Sequence, residues 1–147
     1  MKTYGIISPM EHSGAEQVDL KKMIADYMEA GFLDNIIDMF RHDGNLYSYV
    51  GELLTDERMR VRIGVTALLE TLKTKDPENV RKTIPYILPL LQNENPVIRG
   101  DAAYLIGIIG RIEDIPELQK LTKDQNENVR IIVAESIQDI QSNHISL

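Results

Sequence analysis

The sequence contains no cysteine and no tryptophan, and its aromatic residues are two Phe and six Tyr. Without cysteine there is neither a disulfide framework nor a thiolate metal site. With so few aromatics the core must be built from Leu, Ile, Val, Met and Ala, which favours stacked helices over a β-sandwich. Long apolar runs are missing as well. The uncharged run from Ala102 to Gly110 is about half the ~18 residues that a membrane span needs. The segment "YGIIS" after Met1, Lys2 and Thr3 is too short for the apolar region of a signal peptide. The expectation from these absences is a cytoplasmic protein.

Positive charge is also scarce. The formal net charge is −7, and residues 1–55 carry four bases (Lys2, Lys21, Lys22 and Arg41) against nine acids. An acidic surface repels phosphate backbones, which argues against nucleic acid and anionic membranes as partners; the acidic excess is what ordinary solubility requires, and it would also suit a basic protein partner. The usual catalytic signatures are absent: no cysteine nucleophile, no G-x-S-x-G and no H-E-x-x-H. Glu11, His12 and Ser13 are neighbours, but they fall in a tail that cannot preorganise them. The histidines are His12, His42 and His144, and Asp34, Asp38 and His42 share one helical face. Such a line extends over two turns, too long for one ion, and reads as a solvated acidic face. No catalytic, cofactor or metal site is expected.

What the sequence does have is a period. The segments "MRVRIGVTALLETL" (59–72), "PVIRGDAAYLIGIIG" (96–110) and "ENVRIIVAESIQDI" (127–140) each hold an aliphatic residue followed by arginine: Arg62, Arg99 and Arg130, spaced by 37 and 31 residues. Six residues before each arginine stands Asp56, Asn93 or Asp124; nine before, Leu53, Leu90 or Leu121; twelve before, Val50, Ile87 or Leu118. Seven and ten after come Leu69, Ile106, Ile137 and Leu72, Ile109, Ile140. A repeat of this length is the signature of a solenoid.

Inside each repeat the apolar spacing is helical. Ile98, Ala102, Leu105, Ile106 and Ile109 form one stripe, with Asn95 as N-cap and Pro96 in the first turn. Shorter helices precede, over 45–54, 80–91 and 115–122. Pro89 sits deep enough to bend or break the second of these. The tight turns are "TDER", "QNEN" and "KDQN". Residues 18–31 and 32–40 form a further amphipathic pair joined at Gly31, lacking the Asp-to-Arg columns as a capping unit would. Ala103, Gly107 and Gly110 make a strip of small residues that lets a neighbouring helix approach; phosphate binding would need a preceding strand.

These columns resemble HEAT repeats, particularly the short bacterial and archaeal kind related to those of phycobilin lyase subunits. "NPVIRGDAAYLIGIIG" carries the likeness best, and it covers residues 45–141; the first repeat departs, with Thr66-Ala67 for Ala102-Ala103 and Glu70 for Gly107. The resemblance implies an all-α, right-handed α–α superhelix of about eight helices. Its expected organisation is a tail at 1–14, then one domain at 15–147 made of a capping pair (15–44) and repeats at 45–75, 76–112 and 113–141. It also implies that Asp56–Arg62, Asn93–Arg99 and Asp124–Arg130 are rungs of a hydrogen-bonded ladder, weakest electrostatically at the uncharged Asn93. The implied function is a non-enzymatic protein-interaction scaffold or adaptor, in a sharper version an accessory subunit or acidic antagonist of a basic protein. The alternative is a lyase-type enzyme subunit, although no tetrapyrrole pocket is specified. Off the core stripe, Tyr104, Ile108 and Ile132, rimmed by Asp101, Glu135 and Asp139, form the candidate partner-binding patch, with packing between repeats as the competing role.

Overall fold

A computed structural model describes residues 14–145, and their side chains over 20–143. Glu11, His12, Ser13 and the side chain of His144 lie outside the described residues. All regular structure among those described is helical. Helix α1 runs over Gly14–Ala30 and α2 over Leu33–His42; a 3-10 stretch, Gly44–Tyr49, leads into α3, Val50–Leu53. Then come α4 (Met59–Lys75), α5 (Pro77–Arg81) and α6 (Ile84–Ile87), the last continued as a 3-10 helix over Leu88–Gln92. Helix α7 is Pro96–Ile109; a short 3-10 turn, Ile112–Asp114, opens α8, Ile115–Gln119; α9 is Glu127–Ile145. With α5, α6 and their 3-10 extension taken as one broken helix, these are eight helical units.

The break expected near Pro89 is present, where the helix tightens at Leu88, and the unit over 80–91 is also interrupted after Arg81, which was not expected. Pro85 sits in the first turn of α6, where its missing N–H costs nothing, but Pro89 removes a donor that an α-helix would require. At the first break Thr83 is fully buried, and its hydroxyl donates to the Val80 carbonyl at 2.6 Å, satisfying the group it hides.

The long helices α4, α7 and α9 lie side by side in one layer, and the short helices α3, α6 and α8 form the other. Each long helix buries one stripe between the layers: Val61, Val65, Leu68, Leu69 and Leu72 on α4, and Val129, Val133, Ser136 and Ile140 on α9. Helix α7 differs because it is central. Besides Ile98, Ala102, Leu105 and Ile106 it buries Gly100, Ala103 and Gly107, so two of its flanks are covered. That explains why its sequence is uncharged after Asp101. Asn95 caps α7 by accepting from the Val97 N–H at 2.9 Å.

Helix α1 packs on α4, and Gly31 ends it with φ +91, the one positive φ among the described residues. The Phe32 N–H donates to the Tyr27 carbonyl at 2.9 Å and the Gly31 N–H to Met28 at 3.1 Å, the paired bonds of a Schellman ending. The hydrophobic contact that accompanies such an ending is the edge-to-face pair Tyr27–Phe32, with centroids 5.8 Å apart. A side chain at position 31 would meet no steric obstacle; the glycine is required by its backbone angle.

Candidate functional site

Three arginines organise the turns in the same way. Arg62 Nη1 donates to the carbonyls of Asp56 and Glu57 at 2.8 and 3.0 Å. Arg99 Nη1 donates to those of Asn93 and Glu94 at 2.9 and 3.2 Å, and Arg130 Nη1 to those of Asp124 and Gln125 at 2.6 and 3.2 Å. The acid or amide six residues upstream serves a different end. Its side-chain oxygen accepts the N–H two residues on: Arg58 at Asp56, Asn95 at Asn93 and Asn126 at Asp124, at 2.8–2.9 Å. This is an Asx turn, which needs an acceptor and no charge, so Asn serves at 93 as well as Asp elsewhere. Within each pair, therefore, the arginine holds its partner's main chain and not its side chain.

Charge matters between repeats. The rest of the Arg99 fork reaches the next turn, Nε and Nη2 donating to the two carboxylate oxygens of Asp124 at 2.9 and 2.8 Å. Both side chains are largely buried, 16% and 7% exposed. The Arg99 hydrogen bonds hold the Asp124 carboxyl below its ordinary range against the opposing effect of burial. Arg62 has only Asn93 ahead of it and forms no such fork. Its Nε, buried and without a hydrogen bond, lies 3.5 Å from Asp101. Burial pushes the Asp101 carboxyl up despite that neighbour. Asp56 is held within its own turn by Arg58, which also reaches Asp26 on α1 at 2.9 Å. These hydrogen bonds lower both carboxyls, Asp26 chiefly through Lys22 and then Arg58.

The exposed side of the long-helix layer carries two adjoining grooves. One, of about 410 Å³ between α4 and α7, is lined by Met59, Arg62, Ile63, Thr66, Ala67 and Glu70 facing Val97, Asp101 and Tyr104. The other, of about 320 Å³ between α7 and α9, is lined by Pro96, Val97, Gly100 and Asp101 with Asn126, Asn128, Val129, Ile131 and Ile132. Val97 and Asp101 belong to both. The candidate patch is thus only partly assembled as the sequence suggests. Asp101 and Tyr104 come together in the first groove, and Asp101 and Ile132 in the second. Tyr104 is 46% exposed, whereas Ile132 is half-buried and packed against the core. Ile108 is half-buried on α7 and lines neither groove; Glu135 and Asp139 are exposed on α9 and line neither. They share the face of Tyr104 and Ile132 but stand one or two turns further along their helices, past the ends of the grooves.

Sequence reasoning missed four large apolar residues that the grooves expose: Met59, Ile63, Val97 and Ile131. A signal existed, since Met59 and Ile63 are one turn apart and both off the α4 stripe. Also missed were two links in the other layer, where Arg81 pairs with the buried Asp114 and Tyr47 donates to Asp76 at 2.9 Å. Burial and the Asp76 hydrogen bond raise the Tyr47 phenol well above its ordinary value. Asp34, Asp38 and His42 are all exposed on α2. The His42 Nδ1 meets the Asp38 carbonyl at 2.7 Å. No group of three His, Cys, Asp or Glu among the described residues could hold a metal ion, and no described helix is long and apolar enough to cross a membrane.

The turn clamps, the paired layers and the period of the long helices agree with comparison to known families. The model for HEAT repeats matches residues 48–138, well over half of the chain. No curated protein and no solved structure matches the chain. With its helical pairs stacked in register over that whole span, the chain belongs to the HEAT-repeat family.

Proposed function

We propose that the protein is a non-enzymatic protein-interaction module that docks its partner on the exposed face of α4, α7 and α9. HEAT repeats are in general protein-interaction scaffolds. The observation that carries the reading for this chain is the pair of adjoining grooves with their exposed Met59, Ile63, Val97, Tyr104 and Ile131. Apolar side chains gathered on one face of a folded surface, with polar groups at their edge, are the anatomy of a docking site. The net charge of −7 supports a basic partner, for which the chain acts as an accessory subunit or antagonist. No observation favours the lyase-type reading.

Affinity capture from native extract, read by mass spectrometry, tests the proposal. The partner retained by the wild-type chain is expected to be lost on the double variant Ile63→Asp/Tyr104→Asp while the circular dichroism spectrum is unchanged. Equal retention by wild type and variant would refute this face.

A further inference from the structure

Resting on the reading of this face as a docking surface, we infer that its occupant is an amphipathic helix from another protein, carrying one basic side chain between two apolar ones. The base meets Asp101. Three observations converge on that chemistry.

The first is position. Asp101 lines both grooves and so stands on the ridge between them. Packed helices lie about 8–10 Å apart, which sets the separation of successive grooves. A helix laid across the layer rises about 1.5 Å per residue, so side chains seven positions apart are separated by about 10.5 Å. Apolar residues at i and i+7 then seat in the two grooves, and i+3 or i+4, on the same face, stands over Asp101.

The second is charge. Among the described residues Arg62 is the one cation lining either groove, and its Nη1 is turned to the carbonyls of Asp56 and Glu57. Its Nε approaches Asp101 only to 3.5 Å, too long for a strong charge-assisted bond. Glu70 adds a second carboxylate to the α4–α7 groove. With two carboxylates against one cation, the face keeps an acidic excess even though Arg62 and Asp101 form a long ion pair. Asp101 is already part-desolvated, its side chain 38% exposed, so pairing it with an incoming cation costs less than pairing a fully hydrated acid.

The third is the backbone. Long helices satisfy their own N–H and C=O groups, so the grooves between them offer few main-chain partners. An extended peptide would find few neutral partners for its main chain beyond the side-chain amides of Asn126 and Asn128, in one groove of the two, whereas a helix brings its hydrogen bonds with it.

Two labelled peptides of about 16 residues, long enough to favour helix, test the inference. One has Leu at i and i+7 with Lys at i+4; its twin has Glu at i+4. Fluorescence anisotropy against the full chain is expected to show the Lys peptide binding at least about tenfold tighter. Asp101→Asn should bring the two within about threefold of each other. Ile63→Asp, at a site 59% exposed and therefore compatible with folding, should abolish binding of both. If the twins bind wild type alike and both fail on Ile63→Asp, the basic contact to Asp101 is overturned and the docking face stands. If neither peptide binds, or binding ignores Ile63→Asp, the docking face falls and the inference with it.

Discussion

The two junctions of the long-helix layer use the same repeat positions and differ in what stands there. Where α7 meets α9, the contributing residues of α7 are Gly100 and Gly107. A Cβ on Gly107 would lie 2.7 Å from the Ser136 Cβ and 2.9 Å from its Cα, and one on Gly100 would lie 3.1 Å from the Ile132 Cδ1. Where α4 meets α7, the same positions of α4 are Ile63 and Glu70, both exposed. The α7–α9 junction closes tightly, and the Arg99–Asp124 fork locks it. The α4–α7 junction packs less extensively, has Asn93 where the carboxylate should be, and leaves its large side chains in an open groove. Small residues and a closed rung make the tighter seam, which keeps only the smaller of the two grooves. Large residues and an open rung leave the wider groove, with its apolar side chains exposed.

The comparison breaks most severely at Gly107. Gly107→Leu should drive α9 off α7 and cost about 3 kcal/mol through overpacking, lowering the melting temperature by about 10 °C. A melt within about 2 °C of wild type would mean the close approach is not needed. Asp124→Ala comes next. Opening the fork strands the largely buried Arg99 guanidinium and should cost about 2 kcal/mol, measurable by urea unfolding at pH 7.

The pH dependence of that loss has a fixed sign. The Asp124 carboxyl is lowered in the folded chain, so its contribution is complete above the unfolded value of about 3.9 and disappears as pH falls through the folded value. The stability gap between wild type and Asp124→Asn should therefore be full at neutral pH and shrink in acid below pH ~4. Asp101 has the opposite sign, since burial raises its carboxyl. Its contribution is present in acid and is lost as pH rises through the folded value.

Sharpening the comparison calls for smaller changes. Asn93→Asp keeps the Asx turn and restores a carboxylate ahead of Arg62. It should raise stability by up to about 1 kcal/mol and draw Arg62 away from Asp101, moving the Asp101 titration seen by NMR. An unmoved titration would show that Arg62 cannot reach position 93. Tyr104→Ala, on the exposed rim, should change unfolding free energy by no more than about 0.5 kcal/mol. A large loss would instead make Tyr104 a packing residue.

Much of the architecture was legible because it depends on spacing along the chain. The helical period, the turn positions, the Asn95 cap and the helix end at Gly31 all arise from local chemistry within a few residues. The arginine columns were visible too, although how each fork divides between the carbonyls of its own turn and a carboxylate of the next was not, because carbonyls carry no sequence signature. The proposed docking face was legible only in part. Tyr104 and Asp101 stand off the α7 stripe and could be picked out, but whether Ile108 or Val97 faces a groove depends on how near α4 and α9 come. On the α9 side that distance is set by Gly107, against which Ser136 packs. Arg81 and Asp114, 33 residues apart, illustrate the same limit in the other layer.

The clamps made by Arg62, Arg99 and Arg130 have a kinetic consequence. Each ties a side chain to carbonyls only five and six residues upstream, so the loop it closes is short and its entropic cost small. Every hairpin turn can set its own geometry before a neighbour arrives, as in a chain that nucleates anywhere and propagates. The Arg99–Asp124 fork, bridging 25 residues, forms only after α7 and the α8 hairpin are in place, and it couples those two units into one cooperative block. No equivalent fork joins α4 to α7, where the link is the longer Arg62–Asp101 pair, so that boundary is less cooperative than the one between α7 and α9. Under mild denaturant, amide exchange should release α4 and α7 at separate free energies while α7 and α9 exchange together.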